Sequence, residues 1–306
     1  YGFLEIQKWL DSVLEPLWRR NRLCISGKNP KKIVIIGSGI GGMASAALFS
    51  KAGHEVVVLE QHPTLLGGHG RSLEIGGLRF CMGPQYVWNF GEGMLGDRFL
   101  RHLGIKKDNP FLSMQKDGFE RLFIGEKERE GGFVFADVKV PMGLSAFRDR
   151  MLSLFPEEAS SLKAFFDDVI AIYEAYCSAL RKVAVSESRL LQATKLLMSG
   201  RIPLATKVKF ASTAMMPLKT FFDHYALSPL LRRVLYGHGG IFAESETEMS
   251  AIAYIAATGN YHSGAWYPEK GFHHFFSSLA RVVEENRGRV ELGKRVVGIV
   301  EEEDWA

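Results

Sequence analysis

The spacing of apolar residues changes period along this chain, and the changes mark out its elements. Ile33 to Ile36 is a continuous apolar run of strand length, the pattern of a parallel strand buried on both faces. Met43 to Lys51 reads as a helix of small residues ended by Gly53, and Glu55 to Leu59 as a second buried strand. "RSLEIGGLRF" alternates around Gly76 and Gly77, which predicts a hairpin, and "RLFIGEKEREGGFVFADVKV" predicts two more strands joined by a charged turn. From Phe155 to about Tyr236 the period is helical, with interruptions at Pro203, Pro217 and Pro229. "AWYPEKGFHHFFSSLARVVEENRGRVELGKRVVGIVEEE" then reads as loop, helix, Gly turn and strand. Ahead of all this, residues 1–29 form an amphipathic extension with Phe3, Ile6, Leu10, Val13, Leu14 and Leu17 at helical spacing and a kink at Pro16. Its apolar stripe suits its own domain, a partner subunit or a bilayer surface.

Between Ile33 and Ser50 the chain carries no charge, so a hydropathy window could take the stretch for a membrane span. Its chemistry says otherwise. Gly37-Ser38-Gly39-Ile40-Gly41-Gly42 is a GxGxxG directly behind a strand and opening a helix. Gly37 allows the tight turn, Gly39 lets backbone approach a pyrophosphate, and Gly42 lets the helix pack closely on the strand. The phosphate then meets the free N–H groups and positive dipole of the helix N-terminus. Glu60 ends the next strand 23 residues after Gly37, near the spacing of an acid that accepts from an adenosine ribose. Strand, Gly loop, helix and acid in this order predict a dinucleotide site; the apolar run is strand, loop and helix in series, poorly suited to one bilayer helix.

Composition adds limits. The 306 residues suffice for one large or two ordinary domains, and a net charge of +4 is too small to argue for nucleic acid. Cys24, Cys81 and Cys177 lie far apart, and the nine histidines include no HExxH, so no metal is expected. The chain opens at Tyr1 rather than Met, which leaves a removed leader or an unrepresented start as alternatives.

"LLGGHGRS" supplies a second glycine pair, Gly67-Gly68, and with it the stretch "VIIGSGIGGMASAALFSKAGHEVVVLEQHPTLLGGHGRS…GLRFCMGPQYV" resembles the opening of the phytoene desaturase, carotenoid isomerase and retinol saturase group of amine-oxidase-like flavoproteins. "LFPEEASSLKAFFDDV" and "WYPEKGFHHFFSSLARVVEENRGRVELGKRVVGIV" extend the resemblance from about Lys31 to Val300, strongly at both ends and thinly between. It implies an α/β fold: a Rossmann-like FAD-binding domain at 30–110 and 265–306 with an inserted α+β substrate (cap) domain at 111–264. It further implies FAD as cofactor, held by Gly37, Ser38, Gly39, Ile40, Gly41, Gly42, Glu60, Gln61, Gly67, Gly68 and Arg71. By the same resemblance Val296 meets the adenine and Gly83 and Tyr86 lie in the segment beneath the flavin. The sequence departs from the group's pattern at His69, at Cys81-Met82 and at Lys270-Gly271. Because the group's proteins continue well past this strand, the C-terminal part of the usual fold is expected to be missing here.

The implied activity is that of an FAD-dependent oxidoreductase, of desaturase, saturase or isomerase type, on a lipid-soluble polyene such as a carotenoid or retinoid. No catalytic residue is assigned, His238 and Tyr86 being candidate proton-handling groups with structural alternatives. Two other readings stay open: a truncated, non-catalytic paralogue serving as a structural subunit of a larger, membrane-bound assembly, and an NAD(P)-linked dehydrogenase, which "LLGGHGRS" disfavours. From Arg181 to Lys219 there are eight basic residues and one acidic residue, interleaved with apolar residues including Phe210, Phe221 and Phe222. Peripheral membrane contact is therefore expected through 181–222 or 1–22, with partner subunits or a solvated basic face as alternatives. The compartment is not legible; an organelle, plastid or mitochondrion, is the working expectation.

Overall fold

The computed structural model describes residues 30–127, 133–183, 204–214, 216–237 and 244–300. The chain divides into two compact units, Tyr1–Leu112 with Trp266–Ala306, and Ser113–Ala265. The N-terminal extension, His238 and, within the basic stretch, residues 184–203 and 215 lie outside the described residues.

The first unit begins with β1 (Lys32–Ile36), α1 (Ile40–Lys51) and β2 (Glu55–Leu59). β1 and β2 run parallel in the register Lys32↔Glu55 to Ile36↔Leu59, the arrangement a crossover helix permits. β3 (Ser72–Ile75) and β4 (Leu78–Cys81) form the expected hairpin. Its turn residues, Gly76 and Gly77, both have positive φ, as a two-residue hairpin turn demands. α2 (Leu95–Leu103) follows, ended by Gly104 in the left-handed conformation. The chain leaves this unit along β5 (Phe111–Ser113).

The second unit carries a long antiparallel hairpin, β6 (Glu120–Lys127) with β7 (Phe133–Val140), then α3 (Leu144–Leu154), α4 (Ala159–Val183), α5 (Leu204–Ala214), α6 (Leu218–His224), α7 (Pro229–Leu235) and α8 (Ala251–His262). Pro217 and Pro229 initiate helices here: Pro217 is the N-cap of α6 and Pro229 opens α7, where its missing N–H costs nothing. Ser228 caps α7 by accepting from Leu231 N–H, and is itself anchored by donating to Glu158 from its N–H (2.7 Å) and Oγ (2.6 Å). The core is aromatic, with Phe165 at the centre of edge-on and tilted contacts to Phe166, Phe221, Phe222 and Tyr225. This corrects the reading of Phe221 and Phe222 as part of a docking surface: both are buried. Of the basic residues in that stretch, Lys209 pairs with Asp168 and Lys219 with Asp223. Among the described residues no helix is long and apolar enough to cross a membrane.

The chain returns through β8 (Trp266–Pro268), α9 (Gly271–Glu285) and β9 (Arg289–Glu291). β9 lies parallel to β2 on the side away from β1, giving the order β1-β2-β9. One face of this sheet is the core. Val56 and Val58 are fully buried, with Ile33 and Ile35 beside them, under Met43, Ala46 and Ala47 of α1 and Phe275, Phe276, Leu279 and Val283 of α9. Each of the fully buried valine, leucine, methionine and phenylalanine side chains contributes roughly 1.5–3 kcal/mol by leaving water.

Two expectations are corrected here. β1 is not buried on both faces: Val34 is 61% and Ile36 55% exposed, because no described residue forms a layer over its second face. The closing strand is also shorter than its apolar pattern predicts. β9 ends at Glu291, and Lys294 to Val300 run on irregularly, with Val297, Ile299 and Val300 exposed, since no strand among the described residues pairs with them.

Candidate dinucleotide-binding site

The site grows from the end of β1. Gly37 N–H continues the ladder to Leu59 O (2.8 Å), and the chain then turns away at a φ of 91°, which only glycine adopts without strain. The other motif glycines separate by what a side chain would meet. A Cβ on Gly42 would lie 2.1 Å from Gly37 O, so this glycine is demanded by the packing of α1 on the turn. At Gly39 and Gly41 a Cβ would meet nothing within 4 Å among the described residues, so packing gives no reason for glycine there. Gly39 is the N-cap of α1, and among the described residues no side chain caps that end. Nor does the first turn hold an acid, so its N–H groups and dipole are left for an external anion. Ile40 and Gly41 are exposed beside it.

Glu60 follows β2 directly and is buried to 7% exposure. Its backbone is fixed on both sides: its N–H donates to Glu291 O (2.9 Å), and its carbonyl accepts from Lys294 N–H (2.8 Å). Its carboxylate Oε2 accepts from Ser38 N–H (2.8 Å) and Ser38 Oγ (2.5 Å), and Oε1 accepts from His62 N–H (2.8 Å). Burial pushes this carboxyl up, but the Ser38 hydroxyl, the two N–H donors and nearby His62 outweigh it and hold the group below the ordinary carboxylate range. Glu60 is therefore an ionised acceptor at neutral pH. Gln61 lies exposed next to it.

The second glycine pair is seated on the first. Gly67 N–H donates to Ser38 O (3.1 Å) and Ser38 Oγ (3.2 Å), and a Cβ on Gly68 would come within 3.1 Å of Gly39 Cα. Both glycines have positive φ, and the ring of Phe276 on α9 fills the space that side chains at Gly67 and Gly70 would need. The turn Gly68–Gly70 leads to Arg71, whose N–H donates to Gly68 O (3.3 Å) and whose Nε lies 3.2 Å from Met82 Sδ. Gly83 is packed on this turn too, since a Cβ there would fall 2.5 Å from His69 O. Tyr86 is half-buried one residue before Val87, which exchanges backbone hydrogen bonds of 2.8 Å with Trp266. Val296 is half-buried in the irregular chain beyond β9. Lys270, at a departure from the expected pattern, is engaged with Asp108 at 2.8 Å.

The structure thus brings Gly37–Gly42, Glu60, Gly67 and Gly68 into one cluster, with Gly83 one turn away. What the sequence did not disclose is that Ser38, in a variable position of the motif, joins the three parts, and that Phe276 seats the second turn. The apolar face of α9 was legible, but not which loop it would meet. Among the described residues no cluster of His, Cys, Asp and Glu could hold a metal ion.

Residues 35–103 match a family model described as an NAD(P)-binding Rossmann-like domain. The chain is 29% identical over 250 residues to an all-trans-retinol 13,14-reductase of Rattus norvegicus, covering 79% of this chain and 38% of that protein. It is 24% identical over 283 residues to a carotenoid 3,4-desaturase of Haloarcula japonica, covering 92% of this chain and 50% of that protein. It thus spans half or less of the length of these curated relatives. Among solved structures, an oxidoreductase from Methanosarcina mazei aligns with a TM-score of 0.53 at 20% identity over 89% of this chain and 53% of its own. A Rab GDI from Plasmodium falciparum aligns at 0.52 and 16% over 90% and 61%. At these identities the structural likenesses speak for the fold alone. The relatives and the Rossmann-like match bear out the resemblance to the phytoene desaturase and retinol saturase-like group of FAD oxidoreductases and the α/β fold class, and they imply a dinucleotide cofactor.

Proposed function

We propose that this chain is the nucleotide-binding and cap portion of an FAD-dependent oxidoreductase acting on a lipid-soluble polyene such as a carotenoid or retinoid. One observation carries the reading: Gly39 and Gly41 face open space at an uncapped helix N-terminus, beside the ionised Glu60 and a second glycine turn seated on Gly39. That cradle fits a dinucleotide pyrophosphate and ribose, and a protein-internal role does not explain it. The second glycine turn and the relatives named as retinol reductase and carotenoid desaturases favour FAD over a nicotinamide nucleotide. Gly37, Ser38, Gly39, Ile40, Gly41 and Gly42 would then face the pyrophosphate, with Gly67, Gly68 and Arg71 from the second turn. Glu60 and Gln61 would take the ribose, Val296 the adenine, and Gly83 and Tyr86 the flavin side. Bound FAD supplies the two-electron chemistry, while these residues bind and orient it. Peripheral membrane contact through 1–22 or 181–222, without the buried Phe221 and Phe222, belongs to the same proposal.

The visible spectrum of the purified native protein tests this. Flavin bands that bleach anaerobically on adding a polyene substrate are expected; no flavin, with saturable NAD(P)H binding, would overturn the cofactor. Bound flavin without turnover would favour a second reading, a non-catalytic subunit of a larger assembly.

A further inference from the structure

The middle position of Gly-Ser-Gly is occupied by a side chain with no exposure at all. Ser38 makes four kinds of contact there. Its N–H and Oγ–H both donate to Glu60 Oε2, and its carbonyl and Oγ both accept from Gly67 N–H. One residue therefore holds the phosphate loop, the acid after β2 and the second glycine turn, which are separated by 22 and 29 positions in the chain. An ionised carboxylate offers about four acceptor positions. Ser38 fills two on Oε2 and His62 N–H fills one on Oε1, so among the described residues a single acceptor direction, on Oε1, is left for a ligand. Without the hydroxyl, Glu60 loses its shortest bond and Oε2 regains a lone pair, so nothing but the two backbone donors would fix the carboxylate's rotation.

We propose that Ser38 is a positioning residue: it presets Glu60 and the Gly67-Gly68 turn so that the bound nucleotide's ribose is held through Oε1 of Glu60 alone. This rests on the reading that a dinucleotide occupies the site. Binding through Glu60 is the larger part of this role, and it separates from a merely structural one because most of the effect must disappear when Glu60 is altered, leaving only what Ser38 contributes through Gly67.

The test is a double-mutant cycle on the full chain freed of nucleotide, titrated with FAD and followed by quenching of flavin fluorescence. Removing one charge-assisted hydrogen bond, Ser38→Ala should weaken FAD binding about tenfold or more in the wild-type background. In a Glu60→Gln background the same change should cost no more than about twofold. Ser38→Cys, near-isosteric with a weak donor, should behave as the alanine variant does and replaces it if that variant does not fold. Equal losses in both backgrounds, or no loss in either, would overturn the role of Ser38 while leaving the dinucleotide reading intact. Wild-type protein that binds no FAD would sink both.

Discussion

At the scale of single residues, the glycines of the first loop fall into two kinds. Gly42 is needed by the protein, since its Cβ would collide with Gly37 O at 2.1 Å. Gly39 and Gly41 are not, since their Cβ directions are empty and Gly39 has an ordinary extended backbone, φ −61° and ψ 173°. Gly42→Ala should therefore lower the thermal midpoint and weaken nucleotide binding as a consequence of misfolding. Gly41→Ala, inside α1, should leave the midpoint unchanged or slightly raised, as alanine gains up to about 1 kcal/mol over glycine in a helix, and Gly39→Ala, at the N-cap where glycine is preferred to alanine, should lower it only slightly, while FAD binding falls by at least about tenfold in both. Thermal melts and FAD titrations on the same three variants check this. Lost stability in all three, in equal measure, would mean that the empty space serves packing rather than a ligand.

At the scale of elements, α9 does two jobs. Its Phe276 supports the turn at Gly67 and Gly70, and its polar side is clamped to the loop after α2. Asp108 accepts from Lys270 Nζ (2.8 Å) and Arg281 Nη2 (2.8 Å), with His274 Nε2 at 3.2 Å. These partners, Lys270 first, hold the Asp108 carboxyl well below the usual range. Because the folded pKa lies below the unfolded one of about 3.9, the clamp is fully effective above that value and is lost as pH falls through it toward the folded pKa. The wild type should thus lose part of its thermal stability below about pH 4, and Asp108→Asn should melt slightly lower at neutral pH but with a shallower acid decline. Melting curves from neutral to acid pH decide it; parallel curves would remove Asp108 from the account. The pairs are partly exposed, so added salt should shrink the difference.

At the scale of the whole molecule, the first unit presents apolar surface on separate elements. Leu73 and Ile75 of β3 stand opposite Phe80 and Leu78 of β4, so all four share one face of the hairpin, and all four are exposed. Val34 and Ile36 line the open face of β1. Contiguous apolar surface of this kind drives association. Leu78→Lys with Phe80→Lys should raise the concentration at which the chain self-associates, read by sedimentation velocity, without lowering its thermal midpoint. An unchanged association would place the contact elsewhere.

Much of this molecule is written locally. The apolar run at Ile33, the glycine loop, the helix of small residues and Glu60 depend on spacings of a few residues, and periodicity alone determined that these form strand, loop, helix and strand with an acid at the end. The two hairpins were legible for the same reason. Tertiary structure alone decided what joins across 22 to 29 positions: that Ser38 would bind Glu60 and Gly67, and that Gly68 would rest on Gly39. Among the described residues it also left β1 with one open face and the apolar pattern at Val296 to Val300 without a strand to pair with. A strand needs a neighbour to accept its hydrogen bonds and a layer to cover its side chains, and neither is encoded in the residues of the strand itself.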